Sequence, residues 1–406
     1  MAGNQASAGH LLALIRSGAA VTRGELQQAT GLSRSTVGHR LDALYAAGWI
    51  RDAAGTSTGG RPSVRLEFDD RHAVVLAADL ETRHARAAVL DLAGEVLAER
   101  LGPLRIGEGP EAVLDELGGW FAALLDEAGR KAGEVCGIGL SVPGPVEVSS
   151  GRVVQPPIMP GWDGYPIPER MQQAFARQAG GAEDVPVLVD NDANLMAFAE
   201  QRAGYPGCSA FALIKASTGI GAGVVVDGQI YRGIDGGAGD IGHIRLHDGA
   251  DALCACGSHG CLAAVASGRA IARRLTELGV PTASGSDVSA HLAAGQPDAV
   301  RLAREGGSRV GEVLATVVTL LNPGVLMIAG DLAGSHFVTG LREVLYQRAM
   351  PRTTANLEVV TARLGERAGL SGAAAMVVEH LYAPDMADTR LTAAGGTSRA
   401  TARRAQ

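Results

Sequence analysis

Residues 185–194 read VPVLVDNDAN, an apolar run that stops abruptly in the polar cluster Asp190-Asn191-Asp192. Aliphatic and β-branched residues bounded in this way read as a buried strand. The step from its carboxyl end into a helix is where an α/β sheet exposes side chains to a ligand. Asn191 and Asp192 are therefore the first candidate ligand-binding residues, although an Asx pair at this position also serves simply to cap the helix that follows.

Working outward, the same grammar repeats. Val74–Asp79, Ala87–Asp91, Gly137–Ser141, Ala210–Lys215 and Gly221–Val226 read as further strands, and Pro110–Gly129, Ile167–Ala179, Ala266–Leu278, Ala299–Leu321 and Leu370–Tyr382 carry helical periodicity. The alternation predicts a layered α/β body over residues 71–383. A hydrophobic fraction of 46% with 56 glycines suits packed layers joined by tight turns, and 406 residues are enough for two to three domains. Residues 384–406 are rich in Thr, Ala, Gly and Arg without periodicity, and predict a disordered tail.

Residues 1–70 have a different pattern. Leu11, Leu12, Leu14 and Ile15 share one face of a helix opened by Ser7 and stopped by Gly18. Thr22-Arg-Gly-Glu25 reads as a capping box for a second helix, Gly31-Leu32 as a turn, and Ser33 as the cap of a third helix burying Val37, Leu41 and Leu44. That third helix leaves Arg34, Ser35, Thr36, His39 and Arg40 on its outer N-terminal side, where a recognition helix presents donors to base edges and phosphates. Strand-like stretches Gly48–Arg51 and Ser63–Phe68 flank a loop whose Gly60-Arg61-Pro62 tip fits a wing placing an arginine in a narrow minor groove. The expectation is a winged helix-turn-helix binding double-stranded DNA. A three-helix packing module with an exposed hairpin is the competing reading.

Charge agrees with that division. The net charge is −7, yet residues 1–66 carry about +4, leaving −11 for the rest. With neither a secretion signal nor an apolar run of 18 residues, the expectation is a cytoplasmic protein, nucleoid-associated when bound to DNA, with no membrane partner. Five cysteines in so long a chain do not form a disulfide framework, and three cluster with a histidine as H-x10-C-x-C-x4-C: His243, Cys254, Cys256 and Cys261. Four such ligands can close a tetrahedral structural zinc site, one Zn2+ per chain, with Gly257 and Gly260 allowing the backbone to wrap the ion and His247 and His259 as alternative nitrogen donors.

GIGLSVPGPVE (137–147), PGW (160–162), VDNDAN (189–194), STGIGAGVVVDGQIYRG (217–233), GDIGH (239–243), CACGSHGC (254–261) and LNPGVLMIAG (321–330), taken in that order, resemble the ROK family of bacterial repressors and sugar kinases. The resemblance implies a two-lobed actin-like, hexokinase-like ATPase fold with the ligand in the cleft between lobes. It also implies that Asn191 bonds sugar hydroxyls, that Asp192 stands where kinases keep their catalytic base, and that Asp240 and His243 contact sugar, with His243 the zinc-ligating histidine.

The chain departs from the kinases at the first phosphate turn, where an Asp-x-Gly-Gly-Thr pattern is replaced by Asp79-Leu80-Glu81-Thr82-Arg83, although the second turn, 217–223, keeps its glycines. Asp240 replaces a family glutamate, and Ala263 stands where a second glutamate would hold vicinal hydroxyls. The resulting expectation is a transcriptional regulator of carbohydrate genes, a repressor acting as a homodimer or homotetramer on an inverted-repeat operator, with a sugar or sugar-derivative effector and no catalytic residue, Asp192 being vestigial. An active kinase with a DNA-binding head, and a DNA-binding protein whose body is only an oligomerisation or partner platform, are the alternatives.

Overall fold

The computed structural model describes residues 7–53, 64–180, 184–249 and 251–393. At the N-terminus the local capping signals set the element boundaries. Ser7 Oγ accepts the His10 amide and opens α1 (Ala8–Arg16); Thr22 and Glu25 exchange both capping-box bonds at the start of α2 (Arg23–Thr30); Ser33 Oγ accepts the Thr36 amide and opens α3 (Arg34–Ala46). Leu11, Leu12, Leu26, Val37, Leu41 and Leu44 close the small core. Strands β1 (Ile50–Ala53) and β2 (Arg65–Phe68) pair antiparallel, Ile50 opposite Phe68. The predicted wing residues Gly60, Arg61 and Pro62 lie outside the described residues.

The body is the same topology built twice. In the first lobe β3 (Val74–Leu80), β4 (His84–Asp91) and β5 (Val96–Pro103) form an antiparallel meander. Strands β6 (Val135–Val142) and β9 (Val187–Asn191) extend it in parallel, giving the order β5-β4-β3-β6-β9. Between them come α4 (Pro110–Glu127), the short hairpin β7 (Val146–Glu147) and β8 (Arg152–Val153), and α5 (Ile167–Ala179). After α6 (Asp192–Gly204), the second lobe repeats the meander with β10 (Ala210–Ala216), β11 (Ile220–Val226) and β12 (Gln229–Ile230). Its parallel strands are β13 (Val325–Ala329) and β14 (Glu358–Thr361), in the order β12-β11-β10-β13-β14. Helices α7 (Leu262–Ala266), α8 (Gly268–Glu277), α9 (Gly285–Ala293), α10 (Pro297–Leu321), α11 (Ser335–Arg348) and α12 (Pro351–Thr354) accompany this sheet, and α13 (Ala368–Leu381) returns to the first lobe. The predicted helix 266–278 is α8, starting two residues later because Ser267 leaves the helical region and caps it through the Ala270 amide, while Ala266 ends α7.

The expected disordered tail is overturned in its first part, since residues 384–393 are helical and packed. Ala387 is fully buried, Asp388 accepts the Gly9 amide at 2.8 Å, and the Arg390 guanidinium lies 4.9 Å from the Trp49 ring and 4.8 Å from that of Tyr382. Too few apolar residues mark this segment in the sequence; its helix is held by partners supplied from the head, the usual source of helical stability in proteins. Residues 394–406 lie outside the described set.

One apolar cluster joins α1–α3 of the head to Val75 and Ala77 of β3 and to Ala373, Val377 and Leu381 of α13. At the far end of α13, Tyr382 meets Trp49 and Phe68 edge-on at 5.2 and 5.0 Å, its hydroxyl is 2.7 Å from His72 Nε2, and neighbouring Glu379 accepts from Arg16 at 2.9 Å. The head is thus packed into the first lobe, not strung from it.

Candidate ligand cleft, Cys/His cluster and DNA-facing helix

Helix α6 brings Asn191 and Asp192 to the cleft because glycines let its first turn be gripped on both sides. A Cβ at Gly223 of β11 would stand 2.2 Å from Ala193 O, and one at Gly372 of α13 would stand 2.0 Å from Leu195 O, so neither close approach tolerates a side chain. Asn191 caps the helix, accepting from the Ala193 and Asn194 amides, while its amide group donates to Gly144 O at 3.1 Å. Capping and a place in the cavity wall coincide. The cavity is about 200 Å³ and is lined by Asn191, Asp192, Asp240 and His243, so all four predicted sugar residues converge on one space.

Lys215, missed in the sequence reading, decides the chemistry at one end. It closes β10 on the second lobe and reaches across to Asp192 Oδ2 on the first at 2.6 Å; Asp192 Oδ1 accepts the Ala193 amide. Burial works against its charge, but Asp192, then Asp79 and Glu81, outweigh that and hold its pKa above the usual lysine range. A charged residue ending an otherwise apolar strand was the available signal. Asp79 itself is buried, accepts from Ser141 at 2.6 Å, and is pushed up to about 6 by that burial, against the pull of Lys215. In the glycine-rich turn 217–223, Ser217 donates to Asp331, and Glu81 and Thr82 face the same cavity. Beside this turn the chain places its own carboxylates and a lysine already paired to one of them, and Arg269 and Arg273 line the same cavity.

The other end is framed by Asp240, His243 and Ala263. Burial, with Asp235 adding to it, raises the Asp240 pKa against His243. His243 Nδ1 lies 3.7 Å from Cys254 Sγ, Cys256 Sγ lies 3.8 Å from Cys261 Sγ, and all four ligand atoms fall within 4.8 Å of one another. Sulfurs held tetrahedrally at about 2.3 Å from one zinc ion stand about 3.8 Å apart, so the donor set and spacing fit the metal. His247 and His259 are not in the cluster. The knuckle forms because Gly257 and Gly260 take φ of 84° and 78° and the Cys254 amide donates to Ser258 O. With Nδ1 turned to the cysteines, Nε2 of His243 is the nitrogen left for the cavity.

On the head, Arg34, Ser35 and His39 are exposed on α3, and Thr36 and Arg40 half-buried. The hydroxyls of Ser35 and Thr36 both bond Ser33 Oγ, at 2.9 and 2.8 Å, so they share their capacity with the helix cap. Arg34, His39 and Arg40 are the side chains most available to a partner.

Residues 75–380 match the ROK family. The chain is similar to the xylose repressor of Caldicellulosiruptor bescii, with 29% identity over 382 residues, 89% of this chain and 92% of that one. Among solved structures it resembles a ROK family transcriptional regulator described as a homologue of the E. coli MLC protein, with a TM-score of 0.78 at 26% identity, covering 96% of this chain and 99% of that one. It also resembles the ROK hexokinase of Thermus thermophilus, with a TM-score of 0.59 at 32% identity, covering 77% of this chain and 99% of that one. The match to the regulator takes in the head as well as the two lobes, whereas the match to the hexokinase leaves about a quarter of the chain unaccounted for. This chain belongs to the ROK family.

Proposed function

We propose that the protein is a DNA-binding transcriptional repressor of carbohydrate genes in which a sugar bound between the lobes alters how the head is held. The observation that carries this reading is the span of α13. Its first turn lies against the Asp79 carboxylate, where a Cβ on Gly369 would come within 2.2 Å, and the residue following it, Tyr382, packs into the head. The buried carboxylate that acts on the cleft's Lys215 and the packing surface of the head therefore sit at two ends of one helix. A ligand can bias them only through different affinity for the two arrangements, and a tenfold change in operator affinity needs about 1.4 kcal/mol of coupling.

His243, Cys254, Cys256 and Cys261 would hold one zinc per chain. Four protein ligands leave no open position, so the metal's part is to fix the knuckle and the His243 ring that walls the cavity. Asn191 and Asp240 supply hydrogen bonds to sugar hydroxyls. Phosphoryl transfer is not expected, because Asp192 is engaged by Lys215 and the phosphate end is occupied by side chains. On DNA, Arg34, His39 and Arg40 read the major groove with Ser35 and Thr36 beside them, and Gly60-Arg61-Pro62 the minor groove, in a homodimer or homotetramer on an inverted repeat. The test is operator binding by the full chain. Deleting residues 1–70 should abolish it, and Arg34→Ala or Arg40→Ala should each cost about 1–3 kcal/mol. Retention of specific binding by the truncated chain would refute the reading.

A further inference from the structure

A second cavity, of about 900 Å³, lies outside the cleft, at the corner where the head meets both lobes. Its walls come from α1 of the head, from β9, α6 and α13, and from β12 at the edge of the second lobe's sheet. Junctions between domains are where small-molecule sites preferentially form. None of the cleft residues Asn191, Asp192, Asp240 and His243 lines it.

Its charges do not balance. Glu379 Oε1 accepts from Arg16 Nη2 at 2.9 Å and from Arg202 Nη2 at 3.0 Å, so two guanidiniums share a single carboxylate oxygen. Arg232 places Nε and Nη2 on Asp190 Oδ2, at 2.8 and 2.7 Å. Among the described residues the charged side chains lining the cavity are Arg16, Arg202, Arg232 and Glu379, with His380 exposed beside them. Counting Asp190 as well, three guanidiniums face two carboxylates, which leaves one positive charge in excess even with the histidine neutral. Arg202 has five N–H donors and a side chain 45% exposed, yet its one hydrogen-bond partner among the described residues is Glu379. It keeps donors for a ligand.

The remaining wall is partly apolar. Val148 is exposed and Ile230 half-buried, and the nearly buried Phe198 and Met376 line the same space. An anion with a hydrocarbon body matches both features. One negative charge neutralises the excess, whereas a phosphate dianion overshoots it and meets Glu379 as a like charge. A planar carboxylate also suits the guanidinium fork.

We propose that this cavity is a second ligand site, taking an organic carboxylate with a hydrocarbon body whose charged end is held by Arg202 and Arg16. The site is independent of the sugar-binding reading of the cleft. Because α1 supplies Arg16, its occupant touches head and body together.

The experiment is titration calorimetry on the full chain at pH 8 with octanoate, and with octanamide and octyl phosphate as its uncharged and doubly charged counterparts. Octanoate should bind at one site per chain, tenfold or more tightly than octanamide and more tightly than octyl phosphate. Arg202→Gln should weaken octanoate about tenfold and leave octanamide unchanged. Glu379→Gln, which removes the competing carboxylate, should tighten octanoate several-fold, a gain that misfolding cannot produce. Arg269→Gln, in the cleft, should leave octanoate as it was. No octanoate binding, equal binding of octanoate and octanamide, or tighter binding of octyl phosphate would overturn the proposal. So would an octanoate affinity that falls with Arg269→Gln and not with Arg202→Gln, and in each case the sugar-site reading of the cleft would stand.

Discussion

The two ends of the cleft differ in what the chain has done with the same framework. At the His243 end, the histidine held by the four-ligand knuckle and the Asp240 carboxylate near it line the cavity. At the Lys215 end, the polar groups are spent on one another: lysine on Asp192, Ser217 on Asp331, Asp79 on Ser141. Hydrogen-bonding capacity kept free in a pocket is capacity to bind, whereas capacity satisfied internally resists a newcomer, because displacing it leaves a buried group unpaired. The contrast is the one expected if a ligand binds at the first end and the second is a degenerate phosphate turn.

The largest test of this contrast is removal of the knuckle. Cys261→Ser should take bound zinc from about one per chain to below half by elemental analysis, and should lower the thermal midpoint by well over 5 °C, since a structural metal contributes folding free energy directly. A metal-free protein of unchanged midpoint would show that His243 is positioned by packing alone.

A smaller effect is expected at the opposite end from pH. The Asp79 pKa is raised from 3.8 to about 6. Its contribution to stability is therefore present below about pH 4 and lost as pH rises through 6, on the order of 2–3 kcal/mol for a shift of about two units. Asp79→Asn, which has no charge to bury, should gain stability over wild type at pH 7.5, about half as much at pH 5 and almost none at pH 3.5, measured by denaturant unfolding at the three values. An equal difference at all three pH values would mean that Asp79 is not held against its charge.

The smallest expected effect is none at all. Restoring glycines at the first phosphate turn, Leu80→Gly with Glu81→Gly, should yield no sugar-dependent ATP turnover in a coupled assay, because Lys215–Asp192 and Ser217–Asp331 remain in place. Turnover appearing in this variant, and vanishing with Asp192→Asn, would show that the turn alone had silenced the site and that the lysine does not block the base.

Much of the molecule could be read directly. Ser7, Thr22, Glu25 and Ser33 are local signals acting over three or four residues, and each appears in the structure in the role the sequence assigned it. The cysteine cluster is also local, closed within 19 residues by two turns. Strands β5 and β14 interrupt their apolar residues with charged ones, and β7, β8 and β12 are two residues long, so their sequences carry little signal. By contrast, β13 is an apolar run between Asn322-Pro323-Gly324 and Gly330 and has the signals of a buried strand. Lys215 lies 23 residues from Asp192 in sequence and on the other lobe, so nothing in its own segment announces the pairing.

By itself, then, the sequence determined the caps, the paired lobes' strand-and-helix alternation, the metal-type ligand set and the polar start of α6, because each depends on neighbours within about one turn or one hairpin. Tertiary structure alone decided three things: that Lys215 neutralises Asp192 across the cleft, that α13 joins the cleft to the head, and that residues 384–393 fold back as a helix beneath Trp49. The reason is common to all three. A paired charge, a rigid connection and a marginal helix are properties of partners on separate elements, 23 residues apart for Lys215 and Asp192 and 379 for Gly9 and Asp388, and their energies exist only once the chain has closed around them.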